Sequence, residues 1–333
     1  MSMAGSTGWH VVCLTRAVKG KPVRVWLSGR PYVLWRNGDE IVMLEDRCPH
    51  RNAPLSKGCV RQGRIQCPYH GWRFGRDGQV QDIPGLPDLP VQSGKFSVAA
   101  MDTKTVGPFV FARKDKGAGL PYLHPLAEAT GYTSFVWQTD ARGSLMNVAE
   151  NFLDGFHTHY VHAGLIRAEQ KRQQVSAEIR RSVDRVEVIY TGEEGQNGLI
   201  SRLFEPKRVS SHARFILPGI AELEYRSDAG TELVITAYLS EAEVGQVKAH
   251  VLLTLKGNRF RAGVKKALLM PFFKLALKQD KRIVEWQTQT IATFGEEAFQ
   301  STSLDIVRPH MEDLLINGPR DIDFPVKHKV LSL

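Results

Sequence analysis

The chain opens with short apolar runs punctuated by turn residues. Residues 9–14, 22–27, 32–35 and 41–44 are rich in Val, Leu, Trp and Tyr, side chains that suit strands. Asn37-Gly38 lies between the last two runs and predicts a type I′ hairpin; Asp77-Gly78 predicts a second. Runs at 96–101 and 108–112 continue the pattern, which reads as a small antiparallel barrel or sandwich. A polar, glycine-containing stretch at 114–119 then predicts a boundary, with domains at 1–118 and 119–333.

Beyond it the periodicity changes. Residues 145–162 read as a helix and 173–256 as strands with turns, clearest at 222–225, 233–238 and 247–255. Residues 260–290 read as a helix interrupted at Pro271, and a last helix over 303–316 is expected to kink at Pro309. Strands flanked by helices without βαβ alternation predict an α+β protein: an all-β N-terminal domain, then an α+β domain with an antiparallel sheet and flanking helices.

Composition narrows the class. The 333 residues are 42% hydrophobic and 24% charged, a globular balance. No run of 18 apolar residues occurs, so no membrane-spanning helix is expected. Residues 1–10 lack a basic stretch followed by an apolar one, which argues against a secretory leader and for a cytoplasmic protein. Four cysteines are too few for a disulfide framework and point to metal or catalysis. The net charge of +9 sits in the first third: residues 1–120 hold 18 Lys/Arg and 9 Asp/Glu, and 121–333 hold 26 of each. With no basic recognition motif, that excess points to an acidic protein partner and away from nucleic acid.

The densest chemistry is Cys48-Pro49-His50 followed by Cys67-Pro68-Tyr69-His70, a C-x-H-x16-C-x2-H pattern. A zinc finger groups its ligands as a Cys pair and a His pair. Here each half offers one thiolate and one imidazole, which suits a two-iron cluster with both thiolates on one iron and both imidazoles on the other. With Gly71-Trp72 after the last ligand, the segment resembles the Rieske [2Fe–2S] domain in its oxygenase form. The respiratory-chain form carries C-T-H-L-G-C and C-P-C-H-G-S; this chain has Ala53 and Tyr69 at the disulfide positions and Trp72 at the serine. The resemblance implies Cys48, His50, Cys67 and His70 as cluster ligands. Loss of the serine hydroxyl implies a lower potential, suited to an electron donor for oxygen chemistry. Cys59 is off-register for a disulfide, and Cys13 falls in a strand pattern as a small buried hydrophobe.

Residues 151–164 read Asn-Phe-Leu-Asp-Gly-Phe-His-Thr-His-Tyr-Val-His-Ala-Gly. Asp154 and His157 are i, i+3 and would share a helix face. His157 and His162 sit about 140° apart on a regular helix, so both reach one metal only if the helix bends or ends between them, which Gly155 and Gly164 would ease. His159 would point away. Two imidazoles and a carboxylate make the facial triad of non-haem Fe(II) oxygenases. The segment resembles the N-x-x-D-x-x-H-x4-H motif of Rieske oxygenases, which implies His157 and His162 as ligands of a mononuclear Fe(II). That family draws its third ligand from a late E/Q-D-x-x-I/V-x-E-x-Q pattern. Gln279-Asp280-Lys281-Arg282-Ile283-Val284-Glu285-Trp286-Gln287 matches it, implying Asp280, with Glu285 as the alternative. The resemblance also makes Asp154 a hydrogen-bonded bridge between an iron-ligating histidine and His70 of a neighbouring subunit, with Asn151 in support. Because the family's two centres are too far apart within one chain, oligomerisation is implied.

The resemblance is to the vanillate and dicamba O-demethylase group, typically homotrimers. It implies a monooxygenase component that uses O2 and electrons from an acidic ferredoxin or flavin-dependent reductase, with NAD(P)H entering only through that reductase. A largely apolar aromatic or alicyclic substrate would be hydroxylated or demethylated. The alternatives are a cis-dihydroxylating ring dioxygenase and a Rieske-type electron-transfer protein without oxygenase activity. The basic amphipathic segment 263–278 reads either as a wall of the catalytic pocket or as a membrane-surface helix.

Overall fold

The computed structural model describes residues 8–86, 96–114, 119–167, 172–193, 208–321 and 323–333. It divides into two compact units: Thr7–Leu123 with Ser240–Val244, and His124–Leu239 with Gly245–Leu333.

In the first unit, strands β1 (His10–Leu14), β2 (Val23–Leu27), β3 (Arg30–Asn37) and β4 (Glu40–Glu45) come first in the chain. Short strands β5 (Cys59–Arg61), β6 (Arg64–Gln66), β7 (Arg73–Phe74) and β8 (Val80–Asp82) follow, then β9 (Ala100–Val106) and β10 (Phe109–Arg113). Among the described residues they form two antiparallel sheets, ordered β1-β10-β9-β4-β3-β2 and β5-β6-β7-β8. The apolar runs in β3 and β4 do not alternate with polar residues because both faces are buried. Tyr32, Leu34, Ile41 and Met43 pack on one side; Val33, Trp35, Val42 and Leu44 pack on the other with Leu55, Ile65, Phe74 and both motif cysteines.

Local details differ from expectation. Asn37 pairs with Glu40, so the hairpin loop is Gly38-Asp39 and only Gly38 has positive φ, at +62°. A type I′ turn needs positive φ at both central residues, so the expected turn type is wrong. Asp77-Gly78 lies in a longer loop between Phe74 and Val80. Gly78 is obligatory there: φ is +76°, and a Cβ would lie 1.9 Å from the Val98 carbonyl oxygen. Residues 97–99 stay outside β9, and residues 115–118 of the expected linker lie outside the described residues.

The second unit carries β11 (Tyr132–Arg142), helix α1 (Leu145–Leu153), β12 (Gln174–Arg181), β13 (Arg185–Thr191), β14 (Arg208–Ile216), β15 (Ile220–Ser227), β16 (Gly230–Glu241) and β17 (Gln246–Lys256). After these come α2 (Arg259–Phe294), α3 (Arg308–Asn317) and β18 (Lys327–Ser332). One antiparallel sheet runs β11-β17-β16-β15-β14-β13-β12-β18. Its inner face sets Ala177, Val188, Phe215 and Ala237 in one core with Ala149 and Leu153 of α1 and Met311 and Leu314 of α3. The fold is therefore α+β.

Three helix expectations change. The 145–162 helix stops at Leu153, where Asp154 takes extended angles, φ −72° and ψ 129°. Helix α2 runs unbroken for 36 residues through Pro271. The carbonyl that loses its partner there belongs to exposed Ala267, which water can satisfy. Pro309 occupies the first turn of α3, where its missing N–H costs nothing, so it starts the helix rather than kinking it.

Candidate metal centres

The two ligand loops of the first unit are conformational twins. Cys48 N–H donates to the Ala53 carbonyl at 2.9 Å, and Cys67 N–H to the Trp72 carbonyl at 2.8 Å. Each loop therefore closes five residues after its cysteine. In each, the fourth residue is left-handed: Asn52 at φ +60° and Gly71 at φ +71°. Both thiols are buried, while His50 is half-buried and His70 exposed. The imidazole centroids lie 4.5 Å apart, and His50 stacks on Trp72 at 4.7 Å with an interplanar angle of 6°. Burial, and behind it the neighbouring Cys67 thiol, pushes the Cys48 thiol up to about 11. Two thiols inside and two imidazoles at the rim fit a [2Fe–2S] group, whose positive irons would offset that cost. The buried His50 Nδ1, which has no hydrogen bond, is a ready ligand atom.

The second group forms because α1 ends early. The Asp154 carboxylate accepts from the Phe156 and His157 N–H groups at 2.8 and 3.0 Å, opening a short 3₁₀ turn over His157–His159. The turn breaks the 100° periodicity of a helix and lets His157 and His162 face each other, Nε2 to Nε2 at 3.3 Å. From α2, Asp280 brings Oδ1 to 2.9 Å from His162 Nε2 and 3.4 Å from His157 Nε2. One ligand atom from each of the three lies within 4.8 Å of the others. Glu285, the alternative ligand, instead pairs with Arg142 at 3.2 Å. His159 is buried and does not line the cavity beside this group.

The chemistry of this cluster suits a bound cation. His162 Nδ1 donates to Gln279 Oε1 at 2.9 Å, which leaves the Nε2 lone pair facing Asp280 Oδ1, a buried oxygen with no assigned donor. Lone pairs opposed at 2.9 Å repel unless a proton or a metal ion lies between them. Burial alone would depress the His157 imidazole, but the Asp154 and Asp280 carboxylates beside it, each at 3.4 Å, outweigh it and lift it to about 9. Burial likewise opposes ionisation of Asp280, and the two imidazoles more than offset it, holding the carboxyl below its usual range. Two imidazoles and a carboxylate with neighbouring space suit a ferrous ion with open positions.

The group stands in the wall of a cavity of about 520 Å³ whose lining is mostly apolar. Trp137, Phe152, Leu223, Tyr225, Ile235 and Phe273 supply much of it, and Asn151 lines it from α1. Helix α2 contributes Met270, Phe273 and Leu277, so the 263–278 segment is indeed a pocket wall.

Three supporting residues escaped the sequence reading. Gln279 enters the sequence only as part of a pattern; its role depends on which way His162 turns. Arg167 donates to the Gly155 carbonyl at 2.6 Å and to Thr158 Oγ1 at 3.0 Å while pairing with Glu193, which ties down the histidine loop. The Arg167–Glu193 pair spans 26 residues, and no local signal announces it. Asp46, fully buried two residues before Cys48, accepts from Arg24 and from Ser56 N–H and Oγ, anchoring the first cluster loop. A carboxylate ending an apolar strand was the available hint.

Comparison with known proteins finds two domain models along the chain. The Rieske [2Fe–2S] domain model matches residues 8–93, and the vanillate O-demethylase oxygenase C-terminal domain model matches residues 142–306. Methylxanthine N3-demethylase NdmB of Pseudomonas putida is 33% identical over 175 residues, 47% of this chain and 48% of that protein. The oxygenase component of 3-ketosteroid-9-alpha-monooxygenase from Rhodococcus rhodochrous is 31% identical over 164 residues, 46% of this chain and 41% of that protein. The chain thus spans about half the length of the curated relatives it matches. Among solved structures, Pseudomonas putida CBB5 NdmA with caffeine superposes with a TM-score of 0.76 at 23% identity, covering 92% of this chain and 89% of that one. Dicamba monooxygenase bound to dicamba gives 0.78 at 18% identity, covering 93% and 96%. At those identities the likeness is one of fold. A Rieske domain followed by an oxygenase domain of the vanillate O-demethylase type makes this chain a member of the Rieske oxygenase family.

Proposed function

We propose that the chain is the oxygenase component of a Rieske-type monooxygenase that hydroxylates or oxidatively demethylates a largely apolar substrate. The convergence of His157, His162 and Asp280 on the wall of a 520 Å³ apolar cavity carries this reading. A Rieske electron carrier would have no use for that arrangement. When bound, a cluster on Cys48, His50, Cys67 and His70 supplies single electrons, and a ferrous ion on His157, His162 and Asp280 offers open positions to O2.

The chain's own residues supply orientation and dryness. Gln279 fixes the His162 tautomer, and Asp154 holds His157 through its ring and its backbone. The apolar walls exclude water and place the substrate's reacting carbon beside the open positions. In a homotrimer, Asp154 would also accept from His70 of a neighbouring subunit, with Asn151 in support. The domain boundary would fall near residue 118, and the basic first domain would receive an acidic ferredoxin or flavin-dependent reductase. The cytoplasm would be the site of action.

Product analysis under ¹⁸O2, with a reductase and a panel of methoxy-aromatic, N-methyl and steroid-like compounds, tests the proposal. One labelled oxygen, in a hydroxylated product or in the formaldehyde released on demethylation and trapped before it exchanges with water, supports it. Two labelled oxygens in a cis-diol would replace it with ring dihydroxylation, and no label in any product, formaldehyde included, would count against an oxygenase.

A further inference from the structure

Helix α2 has two faces, and the catalytic site accounts for only one. Ala262, Leu269 and Ala276 are buried against the second unit, and Met270, Phe273 and Leu277 reach the cavity. On the opposite side stand Phe260, 80% exposed, Val264 at 48%, Leu268 at 55% and Leu275 at 47%, with Ala267 and Pro271 exposed between them. At about 100° per residue these six fall within a stripe about 100° wide, centred opposite the buried row. The stripe runs about 16 residues, from Phe260 to Leu275, roughly 24 Å at 1.5 Å per residue.

The charges around it have one sign. From Arg259 to Gln279 the helix carries Arg259, Arg261, Lys265, Lys266, Lys274 and Lys278 and no Asp or Glu. Arg259, Arg261, Lys274 and Lys278 are exposed beside the apolar row. Lys266 instead lies over the Phe135 ring at 4.6 Å. An apolar row flanked by cations is what a helix lying in the headgroup region of an anionic bilayer requires. No helix among the described residues is long and apolar enough to cross a membrane, so the contact would be peripheral. Pairing of α2 with α2 of a second copy would set cation against cation, and so would docking on residues 1–120 of a neighbouring copy, where 18 Lys/Arg outnumber 9 Asp/Glu.

We propose that the outer face of α2, from Arg259 to Lys278, docks on an anionic lipid surface. The apolar row enters the interface and the flanking cations meet lipid phosphates. Since the same helix walls the cavity, docking sets that wall about one helix diameter, some 10 Å, from the lipid.

Co-sedimentation of the full, metal-loaded protein with vesicles tests this independently of turnover. The vesicles are phosphatidylcholine alone or with 30 mole per cent phosphatidylserine. Binding to the anionic vesicles should exceed binding to neutral ones at least tenfold and fall steeply as salt rises from about 50 to 500 mM. The double variant Phe260→Glu/Leu268→Glu should lose at least tenfold in binding while keeping wild-type iron content and circular dichroism. A milder variant, Leu275→Ser, should lose part of the binding if the double variant folds poorly. Absence of binding at low salt, or undiminished binding in folded variants, overturns the proposal. So does a variant-sensitive change in oligomer mass without vesicle binding, which would assign the face to a second copy. Capture of an acidic reductase alone would equally overturn it.

Discussion

Gln279→Leu removes the acceptor of the His162 Nδ1 proton while keeping a side chain of similar volume. His162 is almost fully buried, and the Nδ1 to Oε1 distance is 2.9 Å. The variant either leaves that N–H unpaired, at a cost of about 1–3 kcal/mol, or lets the proton move to Nε2, where it blocks ligation. Outer partners of this kind are worth about 10–100-fold in metal affinity, or roughly 1.4–2.7 kcal/mol. Chelator competition with Zn(II) or Fe(II), on protein whose cluster is intact, reads the dissociation constant directly. Gln279→Leu should weaken binding by about that factor, and Gln279→Glu, a stronger acceptor, should not. A change below threefold in Gln279→Leu, with the fold intact, would refute the assigned role. A parallel loss in both variants would show that the site senses bulk rather than the hydrogen bond.

Other outcomes follow from the same geometry. Asp154→Asn should keep both metal sites loaded and abolish turnover with reductase; wild-type turnover would dismiss the bridging role. Gly58→Ala would put a Cβ 1.8 Å from the Gln66 carbonyl oxygen, beside Cys67. Displacing that backbone should cost about 1–3 kcal/mol and shed the cluster's visible absorbance at lower temperature, as a thermal scan would show. Glu187 accepts from His212 at 3.0 Å and Arg214 at 2.7 Å, and the His212 hydrogen bond leads in bringing its carboxyl from 4.5 to about 2. Its folded value is depressed, so its stabilisation is complete above pH 4.5 and fades as pH falls toward 2. The wild-type advantage over Glu187→Gln in urea unfolding should therefore shrink by up to about 3 kcal/mol between pH 6 and pH 2. A constant difference across that range would contradict the ion-pair account.

The sequence made the chemistry more legible than the geometry. Both motifs are local, so Cys48, His50, Cys67 and His70 could be proposed as ligands without a fold. The approach of Asp280 to His157 could not be measured from spacing, because 123 residues separate them and only the sheet and α2 close that distance. The expected helix over 145–162 failed because Asp154 satisfies two backbone donors that a helix would have used, an Asx-type competition that propensity underrates. Pro271 misled in the opposite direction: tertiary packing through Leu269 and Ala276 carries α2 across it. The apolar runs of β3 and β4 signalled strands but not faces, because the first unit sandwiches that pair between two cores.

Iron counting on purified, iron-replete protein tests the central claim most directly. The wild type should hold three irons per chain, and Asp280→Ala should hold two with the reduced-cluster EPR signal unchanged. Two irons in the wild type, or three in Asp280→Ala, would contradict a mononuclear iron held by His157, His162 and Asp280.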